Sequence, residues 1–197
     1  MNFLNLVIIG AVLIGASKAA SVASAVSGDN CTIADTYQSI SCSFRMMDFG
    51  EKIQELDVED KSEMKEFKRS CAALENCFTS LSHCKPFNDP ATKKAFEMVK
   101  TYCGTVTFLV ENFKECDDKL QARNSTCYND WDPFVEDVKL AEKKEKDEAC
   151  KNFFGKDQCL QKEVVELCGQ KQWEGLRDTL VSLNNDIVKQ CDFKNVA

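Results

Sequence analysis

The stretch Asp89-Pro-Ala-Thr-Lys-Lys-Ala-Phe-Glu-Met-Val-Lys-Thr-Tyr-Cys-Gly-Thr-Val-Thr-Phe-Leu-Val-Glu-Asn-Phe113 decides the fold. Asp89 is a residue type whose side chain caps helix N-termini, and Pro90 suits the first helical position because its missing N–H would have no partner there. Beyond them, Phe96, Val99, Cys103, Val106, Val110 and Phe113 recur at three- and four-residue steps, the period of one face of an α-helix. A cysteine lies on that apolar stripe. It therefore faces the core, and a bridge made from it must reach another helix.

The same pattern extends outward in both directions. Upstream, a helix starting near Asp60 or Ser62 places Met64, Phe67, Cys71, Leu74, Phe78 and Leu81 on one side. An earlier amphipathic stretch around Tyr37 to Leu56 carries Ile40, Phe44, Met47 and Ile53 as its expected core face, with a break near Gly50. Downstream, Asp132 followed by Pro133 predicts a helix through Val135, Val138 and Leu140 into the Lys/Glu-rich run 139–151. Leu160, Val164 and Leu167 form a short helix ended by Gly169, and Trp173, Leu176, Leu180, Leu183, Ile187 and Cys191 form the last stripe. With 3 prolines, 8 glycines and no alternating runs bounded by hairpin turns, strands have little support. The expectation is an all-α, disulfide-stapled helical bundle in a single domain, without internal repeats.

The compartment is read from the N-terminus. Phe3 to Ile14 is apolar but much shorter than the ~20 residues that span a bilayer, and Ser17 and Ala19 occupy the small-residue positions of a cleavage site. The expected organisation is a signal peptide over 1–19, a short segment over 20–30, a twelve-cysteine helical domain over 31–191 and a tail over 192–197. No membrane span is expected after cleavage. The chain has 32 acidic and 25 basic residues, a net charge of −7. Loss of Lys18 with the signal peptide takes this to −8, a balance that disfavours nucleic acid and anionic membranes as partners.

An even number of cysteines on an oxidising route predicts disulfides. The twelve are Cys31, Cys42, Cys71, Cys77, Cys84, Cys103, Cys116, Cys127, Cys150, Cys159, Cys168 and Cys191. With one histidine, His83, and no CxxC pair, a metal site is not expected, nor is any cofactor. At ~1.5 Å per residue, cysteines six or seven apart on one helix are roughly 9 to 10 Å apart, beyond the ~7 Å limit of a bridge. Cys71 with Cys77 is thereby excluded, as is Cys103 with Cys116 on a continuous helix, and Cys159 with Cys168 is disfavoured. Most bridges run between helices, and their pairing stays open. Two sequons, Asn30-Cys-Thr and Asn124-Ser-Thr, fit surface glycosylation, with Asn124 the better placed because Asn30 adjoins a bonding cysteine.

The ordered set Cys71-Ala-Ala-Leu-Glu-Asn-Cys77, Leu81 to Cys84, Cys103, Phe108, Cys116, Cys127, Cys150 with Phe153 and Phe154, Cys159, Val164, Cys168-Gly169 and Cys191 resembles the nematode secreted twelve-cysteine domain of unknown function, number nineteen in that series. The resemblance covers nearly all of the mature chain. It implies a helical, extracellular, disulfide-bonded domain and supplies no catalytic residues.

Catalytic constellations find no support. His83 lies between Ser82 and Cys84 with no GxSxG nearby, which reads as a surface or capping histidine. Asp57, Glu59 and Asp60, or Asp117 and Asp118, lack the alternating ligands and glycine of a calcium loop. The 13 phenylalanines raise a second class of function, an apolar ligand cavity to which Phe153 or Phe154 contributes, while Trp131 reads as a packing plug. The favoured function is a secreted, monomeric, non-enzymatic interaction or defence-type protein that binds an extracellular protein. The alternative is a carrier of a small apolar ligand or lipid.

Overall fold

The computed structural model describes residues 30–135 and 141–193. The expected signal peptide, most of the 20–30 segment, Val138, Leu140 and residues 194–197 lie outside the described residues. The longer helices are α1 (Ile33–Lys52), α2 (Lys61–Ser80), α3 (Pro90–Thr107), α4 (Lys114–Arg123), α5 (Lys143–Lys151), α6 (Cys159–Cys168) and α7 (Gln170–Leu183), with a single helical turn over Thr126–Asn129 and no strand among the described residues. The all-α domain is built as two compact units that divide between Cys103 and Gly104, within α3.

In the first unit each helix begins on a side-chain cap. Asp60 Oδ1 accepts from the backbone N–H groups of Ser62 (2.6 Å) and Glu63 (3.2 Å), and Asp89 Oδ1 accepts from Ala91 (2.8 Å) and Thr92 (3.1 Å). The core has two parts. Phe49, Phe67 and Tyr102 pack ring on ring, with centroids 5.9 to 6.3 Å apart. Cys42, Cys77, Leu81, Cys84 and Phe87 form a second cluster around two bridges.

In the second unit α6 packs against α4 and α7. Leu120, Leu160, Val164, Trp173, Leu176 and Leu180 are buried, as their periodicity requires. The segment that follows α7 as far as Cys191 is held by two amides. Asn184, fully buried, donates to the Cys191 carbonyl (2.7 Å) and accepts from its N–H (2.9 Å). Gln190 accepts from the Val135 N–H (2.8 Å) and donates to the Pro133 carbonyl (2.9 Å). Trp131 is buried with its indole N–H on the Phe153 carbonyl (2.9 Å), as a packing plug should be.

Six disulfides join the twelve cysteines. Cys31–Cys84, Cys42–Cys77 and Cys71–Cys103 lie in the first unit; Cys116–Cys168, Cys127–Cys159 and Cys150–Cys191 lie in the second. The two excluded pairings and the disfavoured Cys159–Cys168 are all absent. Numbered within its own half, each set pairs first with fifth, second with fourth and third with sixth. The first two cysteines are also 11 residues apart in both halves, 31 to 42 and 116 to 127. The bridging order of six cysteines is thus repeated, although the cysteines fall on different elements: Cys71 and Cys77 share α2, whereas Cys150 lies on α5 and Cys159 on α6.

Three local expectations are corrected. α1 runs through Gly50 without a break, and its core face is Ser39, Cys42 and Phe49, continued by Ile53. Asp132-Pro133 opens no helix over 133–135, because the backbone there is held in an irregular path by Gln190. After α3, a π turn over Phe108–Asn112 widens the helix, with the Phe113 N–H on the Phe108 carbonyl at 2.9 Å, and Leu109 is buried in place of Val110.

Candidate functional site

The most unusual surface belongs to α1. Its N-terminus is fixed by a reciprocal capping box, in which the Asp35 N–H donates to Thr32 Oγ1 (3.2 Å) and the Thr32 N–H donates to Asp35 Oδ2 (2.7 Å). Two bridges then tie the helix down, Cys31–Cys84 at its start and Cys42–Cys77 at its middle, with Cα separations of 5.1 and 5.7 Å. On the side away from these bridges, Ile33, Tyr37, Ile40, Phe44 and Met47 project outward, between 37% (Ile40) and 79% (Ile33) exposed. Isolated apolar residues on a surface are ordinary, but five in succession along one helix form a patch.

The sequence reading placed Ile40, Phe44 and Met47 in the core. Cys42 carried the contrary signal. Two helical residues later than Ile40 is a rotation of about 200°, so a bridging Cys42 requires Ile40 to face away.

The second unit can be compared by cysteine count. Because the first two cysteines of each half are equally spaced, positions can be matched by counting from Cys31 and Cys116. The counterparts of Ile33, Tyr37, Ile40, Phe44 and Met47 are Asp118, Ala122, Ser125, Asn129 and Asp132, none of them a large apolar residue. The buried Phe49 has the buried Phe134 as its counterpart, so the core match is retained while the outer face changes character. The matched positions do not share one helix in the second unit, since α4 ends at Asn124 in the left-handed conformation and residues 131–135 are irregular, so the long exposed face is a feature of α1.

Other candidates are accounted for structurally. His83 is exposed, as expected, and its Nε2 lies 3.2 Å from Asp35 Oδ2. The backbone and hydroxyl of Thr32, and then His83, hold the Asp35 carboxyl below the usual carboxylate range. Asp35, His83 and Cys84 converge, but the Cys84 sulfur is committed to Cys31 and is no thiolate ligand. Asp117 is buried, accepting from the Tyr128 hydroxyl on one oxygen and from Gln121 Nε2 (2.7 Å) on the other. Burial, then the Asp117 carboxylate, pushes the Tyr128 phenol above the ordinary tyrosine range. With both Asp117 oxygens engaged, this is a closed structural network.

Phe153 and Phe154 sit in a ring cluster with Phe134, Phe193 and Trp173, with centroid distances of 4.7 to 6.3 Å. Their rings are partners of one another. A depression of about 530 Å³ is lined by Lys143, Lys144, Asp147, Glu148 and Lys151, all charged residues of α5. Asn30 and Asn124 are both exposed and both adopt positive φ, 71° and 51°, with Asn124 ending α4. No described helix is long and apolar enough to cross a membrane.

An all-α domain stapled by six disulfides, three in each of two units, is the class that this architecture defines. The chain belongs to the family described as domain of unknown function (DUF19), whose model matches residues 31–192 and so confirms the resemblance read from the cysteines. It is similar to three proteins of Caenorhabditis elegans. A UPF0376 protein is 44% identical over 99% of this chain and 98% of its own length. The protein named Excretory canal abnormal exc-13 is 42% identical, over 98% of each chain. A second UPF0376 protein is 40% identical over 99% of this chain and 91% of its own. No solved structure matches. Nothing in the family or in the described residues points to enzymatic activity.

Proposed function

We propose that the chain is a secreted, glycosylated extracellular protein that works by binding, through the outer face of α1, and not by catalysis. The observation that carries this reading is the stripe Ile33, Tyr37, Ile40, Phe44 and Met47, exposed on a helix that two bridges and a capping box hold rigid. Leaving such a surface in water forgoes roughly 1.5–3 kcal/mol for each large side chain that burial would recover. Binding recovers it. A preformed face also loses little conformational entropy on association. The apolar N-terminal segment, the bridges and the accessible Asn124 support secretion and glycosylation.

The carrier reading has less behind it, since the phenylalanines that suggested a cavity are spent on packing against each other. Native mass spectrometry of the protein from its secretory source separates the two. The expected species begins at Ala20, carries glycan on Asn124 and has no lipid. A chain that retains residues 1–19, or one that copurifies with a lipid, overturns the reading.

A further inference from the structure

We infer that Cys31, Asp35, His83 and Cys84 form a redox-gated zinc site, closed while the Cys31–Cys84 bridge stands and complete once external thiols reduce it. The inference does not depend on the outer face of α1 as a binding surface. It departs from the metal-free expectation read from the sequence.

The geometry points to an ion and not to a proton relay. In a nucleophile–base–carboxylate relay the nucleophile and the carboxylate use opposite ring nitrogens. Here both face one. His83 Nε2 lies 3.8 Å from Cys84 Sγ and 3.2 Å from Asp35 Oδ2, and one ligand atom from each of the three residues lies within 4.8 Å of the others. At zinc bond lengths of ~2.0–2.3 Å, tetrahedral ligands stand about 3.3 to 3.8 Å apart, so the three atoms already outline one face of such a site. Cys31 supplies the fourth ligand, its Cα 5.1 Å from that of Cys84 and within reach of a shared ion.

Contacts other than the gating bridge hold the ligands. The Thr32 N–H (2.7 Å) and hydroxyl (2.8 Å) donate to Asp35 Oδ2, the outer-shell arrangement that orients a metal-binding carboxylate. The Cys84 N–H donates to the Leu81 carbonyl (2.9 Å), and Cys42–Cys77 continues to tie α1 to α2. Two thiolates, an imidazole and a carboxylate select zinc over calcium and magnesium, which take shells of oxygen.

Opening the site consumes two thiols. Cys84 is buried and Cys31 half-buried, so the first thiol attacks the Cys31 sulfur and releases Cys84. The second attacks the external sulfur of the mixed disulfide, which leaves both cysteines as thiols and the reductant as its own disulfide. Zinc then displaces the two thiol protons to solvent.

The test equilibrates the full chain in mixtures of mercaptoethanol and its disulfide, with and without buffered free zinc. Acid quenching, differential alkylation and peptide mapping then give the thiol-to-disulfide ratio at each cysteine. At about 10 µM free zinc the ratio at Cys31–Cys84 is expected to rise at least 100-fold, the linkage for a dissociation constant of about 0.1 µM or tighter. The ratio at Cys71–Cys103 should not move, and calcium should have no effect. His83→Ala and Asp35→Asn, each compared with its own zinc-free ratio, should cut the rise by at least about tenfold. Asn at 35 keeps an oxygen for the Thr32 N–H, and an unchanged circular dichroism spectrum before reduction establishes that each variant folds. A ratio at Cys31–Cys84 indifferent to zinc overturns the inference. So does a rise of the same size at Cys71–Cys103 or in both variants, which would mean that zinc is taken by thiols alone.

Discussion

Replacing Cys71 and Cys103 together by alanine removes the bridge between α2 and α3 and confines the damage to the first unit. The bridge closes a sequence separation of 32 residues. The chain-entropy relation gives a loss of about 12 cal/mol/K for a loop of this length, or about 3.7 kcal/mol at 25 °C. Both sulfurs are only half-buried, so the cavity left by alanine adds little. For a unit of this size each kcal/mol displaces the melting temperature by roughly 4 to 8 °C, which predicts a drop of about 15 to 30 °C. Differential scanning calorimetry of the oxidised variant is the assay. The expected trace has one transition displaced downward and another left in place, because every bridge of the second unit lies beyond Cys103. A single transition that carries the whole chain down together, or a shift below about 5 °C, would refute the reasoning.

Further outcomes follow from the same geometry. A single backbone cut between Gly104 and Glu115, followed by non-reducing denaturing electrophoresis, should release two fragments, and fragments that stay joined would mean a bridge crosses the division. Gly155→Ala should destabilise by about 1–3 kcal/mol in urea titration, since φ is +78° and the new Cβ would lie 2.6 Å from Cys159 Sγ. Gly50→Ala, with nothing within 4 Å inside α1, should instead stabilise by about 0.5–1 kcal/mol. Asp35 in the capping box of α1 and the caps Asp60 and Asp89 have carboxyls held below their ordinary values by hydrogen bonds from Thr32, Ser62 and Thr92 respectively. Depressed folded-state values mean that their contribution is complete above about pH 4 and is lost as pH falls through the folded values, so the melting temperature should decline below about pH 4. In Asp60→Asn that decline should be shallower, and an unchanged acid limb would remove Asp60 from the account.

Much of this scaffold was readable from residues. The caps at Asp60 and Asp89, the stripe through Trp173 and Leu180, and the distance rule separating Cys71 from Cys77 all follow from 3.6-residue periodicity and bond lengths. The inner face of α1 did not, because hydrophobicity alone ranks Ile40 and Phe44 above Ser39 and Cys42, whereas covalent bonding turns Cys42 inward. The repeat was hidden for a related reason. Its halves share bridging order but not side chains, and the second-to-third cysteine interval differs, from 42 to 71 in one and from 127 to 150 in the other. At residues 132–135 a long-range amide, Gln190, overrides a strong local cap signal. No local pattern can report such a contact.

The division at Cys103 also bears on how the protein reaches its oxidised state. Twelve thiols left to pair freely have on the order of ten thousand complete combinations, whereas two independent sets of six have about fifteen each. With the bridging order closed within each half, Cys31 to Cys103 can complete native oxidation without waiting for Cys116 to Cys191. A chain emerging N-terminus first can therefore finish one small search before the next begins, and an error in one half need not spread to the other.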